Sequence, residues 1–293
     1  MHYDFIVKVP LTTGETSFTL SLETNVPINR MIIEHIVNGM HYEPDVAALV
    51  LAALRPGDTF VDVGANIGYF TCLAAALAGP GGRVVSIEPS PANLPHLRHN
   101  LAVNGFGNVT LVPVAVSNQP GEVDFWINDR DGGGSALWDP KAFPGNAPNQ
   151  ARHVRLRATT LDDLAVEHGF SAGVRIIKID TEGAEALILS GAASLLDPAR
   201  TPFVICELHW MGLGQLGHSA ESLRALMLAA GYHTFLLLPD GGLPKLLPPH
   251  TTLRSATIPN ILFSTIDAVG AVWPHEDIDL RKFRKPGTKR VAF

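Results

Sequence analysis

Cysteine is scarce in this chain: two among 293 residues, Cys72 and Cys206, each inside an apolar segment. That leaves no disulfide framework, and both read as small buried hydrophobes. Long apolar runs are missing as well. Leu73-Ala74-Ala75-Ala76-Leu77-Ala78 falls far short of the ~20 residues that cross a bilayer and stops at Gly79-Pro80-Gly81-Gly82. The first 30 residues lack a secretory apolar core, because the opening run breaks at Pro10. No His-x-x-x-His or Cys-x-x-Cys spacing is present, so no metal is expected. Charged residues are only 17% against 46% hydrophobic, which excludes the disordered class. The 27 glycines and 22 prolines are dispersed and signal turns, not low complexity. The expectation is a cytoplasmic globular protein without membrane insertion.

Charge is uneven. The net value is −6, yet residues 281–293 hold Arg281, Lys282, Arg284, Lys285, Lys289 and Arg290 with no acid. The remainder carries 16 basic and 28 acidic residues, near −12. A body of that sign is not built to bind nucleic acid. The basic tail reads as a solvated terminus.

What is present is a βα alternation. Residues 3–9 and 17–22 alternate around Thr12-Thr13-Gly14-Glu15 and predict a hairpin. Helices are expected at 28–38 and 45–54, the second after Pro44-Asp45. Strands are then expected at 59–63, 84–88, 109–112, 176–180, 203–209, 233–238 and 261–264, with helices at 92–104, 184–190 and 219–230. Near-continuous apolar runs such as Arg175-Ile176-Ile177-Lys178-Ile179 suit strands covered on both faces. The pattern predicts an α/β protein with a seven-stranded, mostly parallel, doubly wound sheet. Its organisation would be a hairpin and helical cap at 1–50, a main domain at 51–270 and a tail at 271–293. Two further strands, 122–127 and 153–158, bracket a loop rich in Gly, Pro and Asn near 128–150, long enough to be a substrate loop.

The most informative segment is Phe60-Val61-Asp62-Val63-Gly64-Ala65-Asn66-Ile67-Gly68-Tyr69-Phe70, a strand, a glycine turn and a helix start. In an open α/β sheet, ligands bind outside the carboxyl ends of the strands. Gly64 and Gly68 would let backbone approach such a ligand. Asp62, Glu88, Asp180, Glu207 and His209 all fall at predicted strand ends, so acids gather on one rim. A dinucleotide fingerprint fails here, since Asn66 and Tyr69 stand where its second and third glycines belong. Glu88 still suits a ribose diol. The site therefore suits a nucleoside without a diphosphate, with Asp62 and Asn66 facing a zwitterionic tail.

Asp62–Gly68 with Ile87-Glu88-Pro89 resembles motif I and the acidic second strand of class I S-adenosylmethionine-dependent methyltransferases. Within that superfamily the chain is similar to the FkbM-type family. The residues that carry the likeness are Tyr42-Glu43-Pro44, Asn100-Leu101-Ala102-Val103-Asn104, Ala115-Val116-Ser117-Asn118, Gly133-Gly134-Ser135, Thr160-Leu161-Asp162-Asp163 and Ile179-Asp180-Thr181-Glu182-Gly183-Ala184-Glu185. The likeness runs from about residue 40 to about 210. It implies a Rossmann-like fold, S-adenosylmethionine as cofactor, and methyl transfer to a hydroxyl of a sugar, polyketide or other secondary metabolite. It also implies that Asp62, Gly64, Ala65, Asn66 and Gly68 line the methionine end with Glu43, that Glu88 holds the ribose, and that Asn118 lies near the adenine.

Methyl transfer needs an aligned oxygen and a base for its proton. His209 is the first candidate base, because imidazole can be neutral at pH 7; Asp180 and Glu182 are the others. Glu182 and Glu185 are expected in a first helical turn, where acids oppose the dipole. Ser135, Trp138 and Trp210 are candidate substrate contacts, the tryptophans by stacking. The partner expected is a small-molecule or glycosyl acceptor, with a homodimer left open. Competing readings are a non-catalytic nucleoside-binding module and an NAD(P)-dependent oxidoreductase.

Overall fold

Strands β1 (Phe5–Pro10) and β2 (Ser17–Leu22) pair as the antiparallel hairpin that the alternation predicts. The computed structural model describes residues 3–11, 16–129, 133–140, 151–254, 257–273 and 290–292. The hairpin turn, residues 130–132 and 141–150 of the expected loop, and 274–289 of the expected tail lie outside them.

Helices α1 (Pro27–Val37) and α2 (Pro44–Ala53) each begin on a proline, whose missing N–H costs nothing at a helix start. Next come β3 (Thr59–Val63), α3 (Tyr69–Ala78), β4 (Arg83–Ile87), α4 (Leu94–Asn104) and β5 (Val109–Val112). A side sheet follows, made by β6 (Ala115–Val116), β7 (Gly121–Asn128) and β8 (Ala151–Thr159) in the order β6-β8-β7. The chain then runs through α5 (Leu161–Glu167), β9 (Ile176–Ile179), α6 (Glu185–Ser190), β10 (Phe203–Glu207), α7 (Trp210–Gln215), α8 (Ala220–Ala229) and β11 (His233–Leu236). It closes with β12 (Lys245–Leu247), β13 (Thr252–Arg254), β14 (Asn260–Ser264), α9 (Ile266–Val272) and β15 (Arg290–Ala292).

The main sheet has the order β12-β11-β14-β10-β9-β3-β4-β5. All seven strands that the sequence predicts are in it, and the three-residue edge strand β12 makes eight. Strands β3, β4, β5, β9 and β10 run parallel, while β14 is antiparallel to both β10 and β11. From β3 the chain winds outward through β4 and β5, then returns to β9 on the other side of β3. The two halves therefore diverge between β3 and β9, and a crevice opens at their carboxyl ends. Val63 pairs with Ile179 in that register, which puts Gly64 beside Asp180.

Alternate residues face opposite layers. Val61, Val85, Ile177 and Val204 pack under α5, α6 and α8, and Phe60, Val84, Ile176 and Phe203 pack under α2, α3 and the hairpin. Burial of this kind contributes about 25 cal/mol per Å² of apolar surface. Helix α4 ties the hairpin down with two amides one turn apart. Asn100 Oδ1 accepts from Ser21 N at 2.9 Å and Asn104 Oδ1 from Thr19 N at 2.7 Å. Asn100 Nδ2 also donates to Ile67 O at 2.9 Å, so one buried side chain joins hairpin, helix and glycine turn.

Two boundaries differ from expectation in ways that bear on the site. The strand expected to reach residue 209 ends at Glu207, and His209 caps α7 instead. Glu182 lies in the loop before α6, with φ +56, because the helix begins only at Glu185. Among the described residues no helix is long and apolar enough to cross a membrane.

Candidate active site

A cavity of about 260 Å³ opens at the carboxyl ends of β3, β4, β9 and β10. Its wall changes character along its length. One stretch is apolar, built from Pro89, Val114, Ala115, Val116 and Ile188; the other carries Glu43, Asp180, Glu182 and Glu207. Glu88 and Asn66 also line it.

The glycines of the turn work differently from the sequence expectation. A Cβ on Gly64 (φ +82) would sit 1.9 Å from the Asp180 carbonyl oxygen, and one on Gly68 (φ +93) would sit 2.5 Å from Leu97 Cδ1. Both glycines let the chain pack on itself, and only Gly64 also reaches the cavity wall. Asn66 takes the left-handed conformation at φ +51 and donates its amide to Glu88 Oε2 at 2.7 Å. Glu88 Oε1 accepts from Ser90 N at 2.8 Å. These bonds lock the Glu88 carboxyl against the turn, and burial still pushes its pKa up to about 7. Oε1 also accepts from Asn93 Nδ2 at 3.5 Å, so it is Oε2 that keeps a second lone pair for a ligand hydroxyl.

Asp62 lies deeper than expected. It is buried, its Oδ2 accepts from the Thr71 hydroxyl at 2.6 Å, and its Oδ1 is buried without a partner. It faces a narrow annex of about 40 Å³, shared with Ala65, Asn66, Tyr42 and Lys178, and not the main cavity. Burial raises its pKa against the pull of Lys178.

Lys178, inside the apolar run of β9, is the counterion of this end. Its Nζ donates to Asp180 Oδ2 at 2.8 Å and lies 4.8 Å from the Phe70 ring centroid. Burial works against its charge, yet Asp180, Glu43 and Asp62 together hold it protonated with its pKa above the ordinary lysine range. Burial also raises Glu43 to about 7 and Glu207 well above the usual carboxylate range, the latter helped by repulsion from Asp180, Glu182 and Glu43.

His209 is not on the cavity wall. Its Nδ1 accepts the Gly212 amide at 2.9 Å, so the ring proton is assigned to Nε2, which lies 3.2 Å from Glu182 Oε2. A ring whose free lone pair is already taken has no site for a substrate proton. The structure thus places His209, the expected base, behind Glu182 with Nδ1 engaged, and Glu182 itself lines the cavity. Burial lowers the His209 pKa and keeps the ring neutral. Trp138 is placed likewise behind Glu182, donating Nε1–H to the Glu182 carbonyl at 2.6 Å, and it does not line the cavity. Gly183 (φ +109) and Gly212 complete the clamp. A Cβ on Gly183 would be 2.3 Å from Gly212 C, and one on Gly212 would be 2.1 Å from Glu182 O.

Ser135 lines the cavity and accepts from the Asn128 amide at 3.1 Å. Trp210 is 48% exposed and Asn118 is exposed, and neither reaches the wall. Val114, Ala115 and Val116, just before Asn118, do line it. Glu185 is fully buried at the first position of α6, as expected of an acid in a first turn, and accepts from Thr181 N, Thr181 Oγ1 and Gly183 N at 3.3, 3.1 and 3.0 Å, so it also braces the Glu182 loop. Sequence reasoning gave no part to Lys178, Tyr42 or Asn93. A lysine inside a strand otherwise made of isoleucines was the available signal for the first.

The methyltransferase FkbM domain family matches residues 62–234. The 31-O-demethyl-FK506 methyltransferase FkbM of Streptomyces tacrolimicus is 30% identical over 192 residues, 58% of this chain and 72% of that protein. The hexuronic acid methyltransferase AglP of Haloferax volcanii is 24% identical over 209 residues, 69% of this chain and 79% of its own length. Among solved structures, an FkbM methyltransferase from Methylobacillus flagellatus is similar at 17% identity and a TM-score of 0.45, covering 82% of this chain and 60% of that longer one. The fold and site define a class I methyltransferase. The chain belongs to the FkbM methyltransferase family.

Proposed function

We propose that this enzyme methylates a hydroxyl of a small-molecule or glycosyl acceptor, with Glu182 receiving the hydroxyl proton. The residues present fit the cofactor. The apolar stretch at Val114–Val116 and Ile188 would take the base, Glu88 Oε2 a ribose hydroxyl, and Asn66 Oδ1 and Asp62 Oδ1, which have no partner among the described residues, the ammonium. S-adenosylmethionine supplies an electrophilic methyl group.

The chain's own part is positioning and proton removal. The acceptor oxygen must be held in line at about 3–3.5 Å with water displaced. Its proton must leave as the new bond forms, which contributes ~10²–10⁴-fold. Glu182 is the group with the geometry for that: its carboxyl faces the cavity, while His209 and Trp138 fix its side chain and carbonyl from behind. The FK506 relative, named for a 31-O position, supports an oxygen acceptor, and the hexuronic acid relative supports a sugar-derived one. Calorimetric titration with S-adenosylhomocysteine, followed by mass spectrometry of a hydroxylated acceptor panel, tests the reading. Absence of nucleoside binding would defeat it.

A further inference from the structure

Five carboxyl side chains line the cavity, and among its described lining residues there is no lysine, arginine or histidine. Three of the five are engaged. Glu88 accepts from the Asn66 and Ser90 amides, Asp180 from Lys178, and Glu182 faces His209. Glu43 and Glu207 differ: Glu43 is hydrogen-bonded by the Tyr42 hydroxyl, yet its Oε2, like Oε2 of Glu207, is buried and has no hydrogen-bond partner among the described residues. Buried carboxyl oxygens are normally satisfied, so this pair is shaped for a donor that the protein does not supply.

The charge balance points the same way. Glu207 is surrounded by Asp180, Glu182, Glu43 and Glu185, and Glu43 by Lys178, Asp180, Asp45 and the Tyr42 hydroxyl. Lys178 is the one buried cation that these groups share. The cofactor adds a sulfonium, an ammonium and a carboxylate, a net of one positive charge, which leaves the acids in excess. Among the described residues no three acidic, histidine or cysteine groups converge as metal ligands do. A cation with several N–H donors matches two separate carboxyl oxygens better.

We propose that Glu43 and Glu207 form a subsite for a protonated amine on the methyl acceptor, so that the enzyme selects amino alcohols, such as amino sugars, over neutral or acidic polyols. This rests on the methyl-transfer reading above. The ammonium would be held by the two carboxyls, and Glu182 lines the same cavity. A carboxylate in the same place meets only like charge. Because burial raises the pKa of Glu43 to about 7, the amine displaces a proton from it and binds more tightly as pH rises through 7, and the raised pKa of Glu207 acts in the same direction.

The test uses full-length protein saturated with S-adenosylhomocysteine and three probes sharing one ring: 6-amino-6-deoxyglucose, glucose and glucuronate. Affinities are read by ligand-observed NMR titration at pH 6 and pH 8. The amino sugar is expected to bind roughly tenfold more tightly than either partner, about 1.4 kcal/mol, with the larger preference at pH 8. Glu207→Gln is expected to remove that preference and leave glucose binding within twofold. Equal or weaker binding of the amino sugar, or an unchanged preference in Glu207→Gln, overturns the proposal. So does a Glu207→Gln variant that loses affinity for S-adenosylmethionine and not for the amine, since the pair would then serve the sulfonium. Failure of S-adenosylhomocysteine to bind would overturn the methyl-transfer reading and this one with it; normal binding without amine preference overturns this one alone.

Discussion

Oε2 of Glu182 stands 3.2 Å from Nε2 of His209, and the other ring nitrogen is occupied by the Gly212 amide. The histidine thus has one proton to offer and one carboxylate to offer it to. Removing the carboxylate removes the acceptor for the substrate proton, so Glu182→Gln should lower kcat by about 10²–10⁴-fold with S-adenosylhomocysteine affinity kept. His209→Asn is the sharper probe of the partnership. Asparagine is a good N-cap and keeps α7 closed, but it is too short to orient Glu182. A fall in kcat of roughly tenfold with unchanged melting temperature is expected. Unchanged kcat would mean that Glu182 needs no orienting partner.

Gly212 is held against the Glu182 carbonyl by backbone on both sides. An added methyl would lie 2.1 Å from that oxygen and 2.8 Å from Trp138 Nε1, and neither can withdraw without breaking the bond between them. Gly212→Ala should therefore displace the Glu182 loop while the β3 turn stays in place. The expected outcome is a large loss of kcat with cofactor affinity within a few-fold of wild type, measured by single-turnover kinetics and calorimetry. Equal losses in both would place the disturbance in the whole rim and not at Glu182.

The alternation of apolar runs and glycine-closed helices was enough to predict the seven shared strands, because those depend on local period. Glu88 was legible as a strand-end acid, and the structure places it on the cavity wall. His209 was not. From sequence it stood at a strand end beside Glu207, but which nitrogen is free depends on a three-residue cap that forms only because the strand stops early. Gly64 was legible as a special backbone position but not for its cause, since the atom it avoids is the Asp180 carbonyl, 116 positions away. Trp138 looked like a stacking surface, and its real partner, a carbonyl 44 residues further on, leaves no local trace.

Asn100 makes two bonds that no other side chain in its place could make together, accepting from Ser21 N and donating to Ile67 O, both at 2.9 Å. Leucine at this position fits the volume but leaves a buried N–H and a buried C=O without partners. Each such orphan costs about 1–3 kcal/mol, so Asn100→Leu should destabilise the protein by roughly 2–5 kcal/mol. Chemical denaturation measures this. Because Ile67 belongs to the glycine turn, cofactor affinity should fall as well, whereas a purely hairpin-anchoring role would leave it untouched.

Glu185 gives the pH dependence. It is fully buried, and burial, only partly offset by hydrogen bonds including those from Gly183 N and Thr181 Oγ1, raises its pKa from 4.5 to about 7. The sign follows from that raised value. Below pH 4.5 the carboxyl is protonated in both folded and unfolded chains and costs nothing. Between pH 4.5 and 7 the unfolded chain releases the proton and the folded chain retains it, so stability falls with rising pH. Above 7 the loss levels off. At ~1.4 kcal/mol per unit, the contribution lost across that window is about 3–4 kcal/mol. Glu185→Gln keeps an oxygen for Thr181 and Gly183 and cannot ionise. Any packing penalty of the amide is the same at every pH, so the informative quantity is the slope. The variant should gain on wild type steadily from pH 4.5 to 7.5, by about 5 °C or more in Tm. Parallel Tm-against-pH curves for the two proteins would show that Glu185 is ionised in the folded state at pH 5.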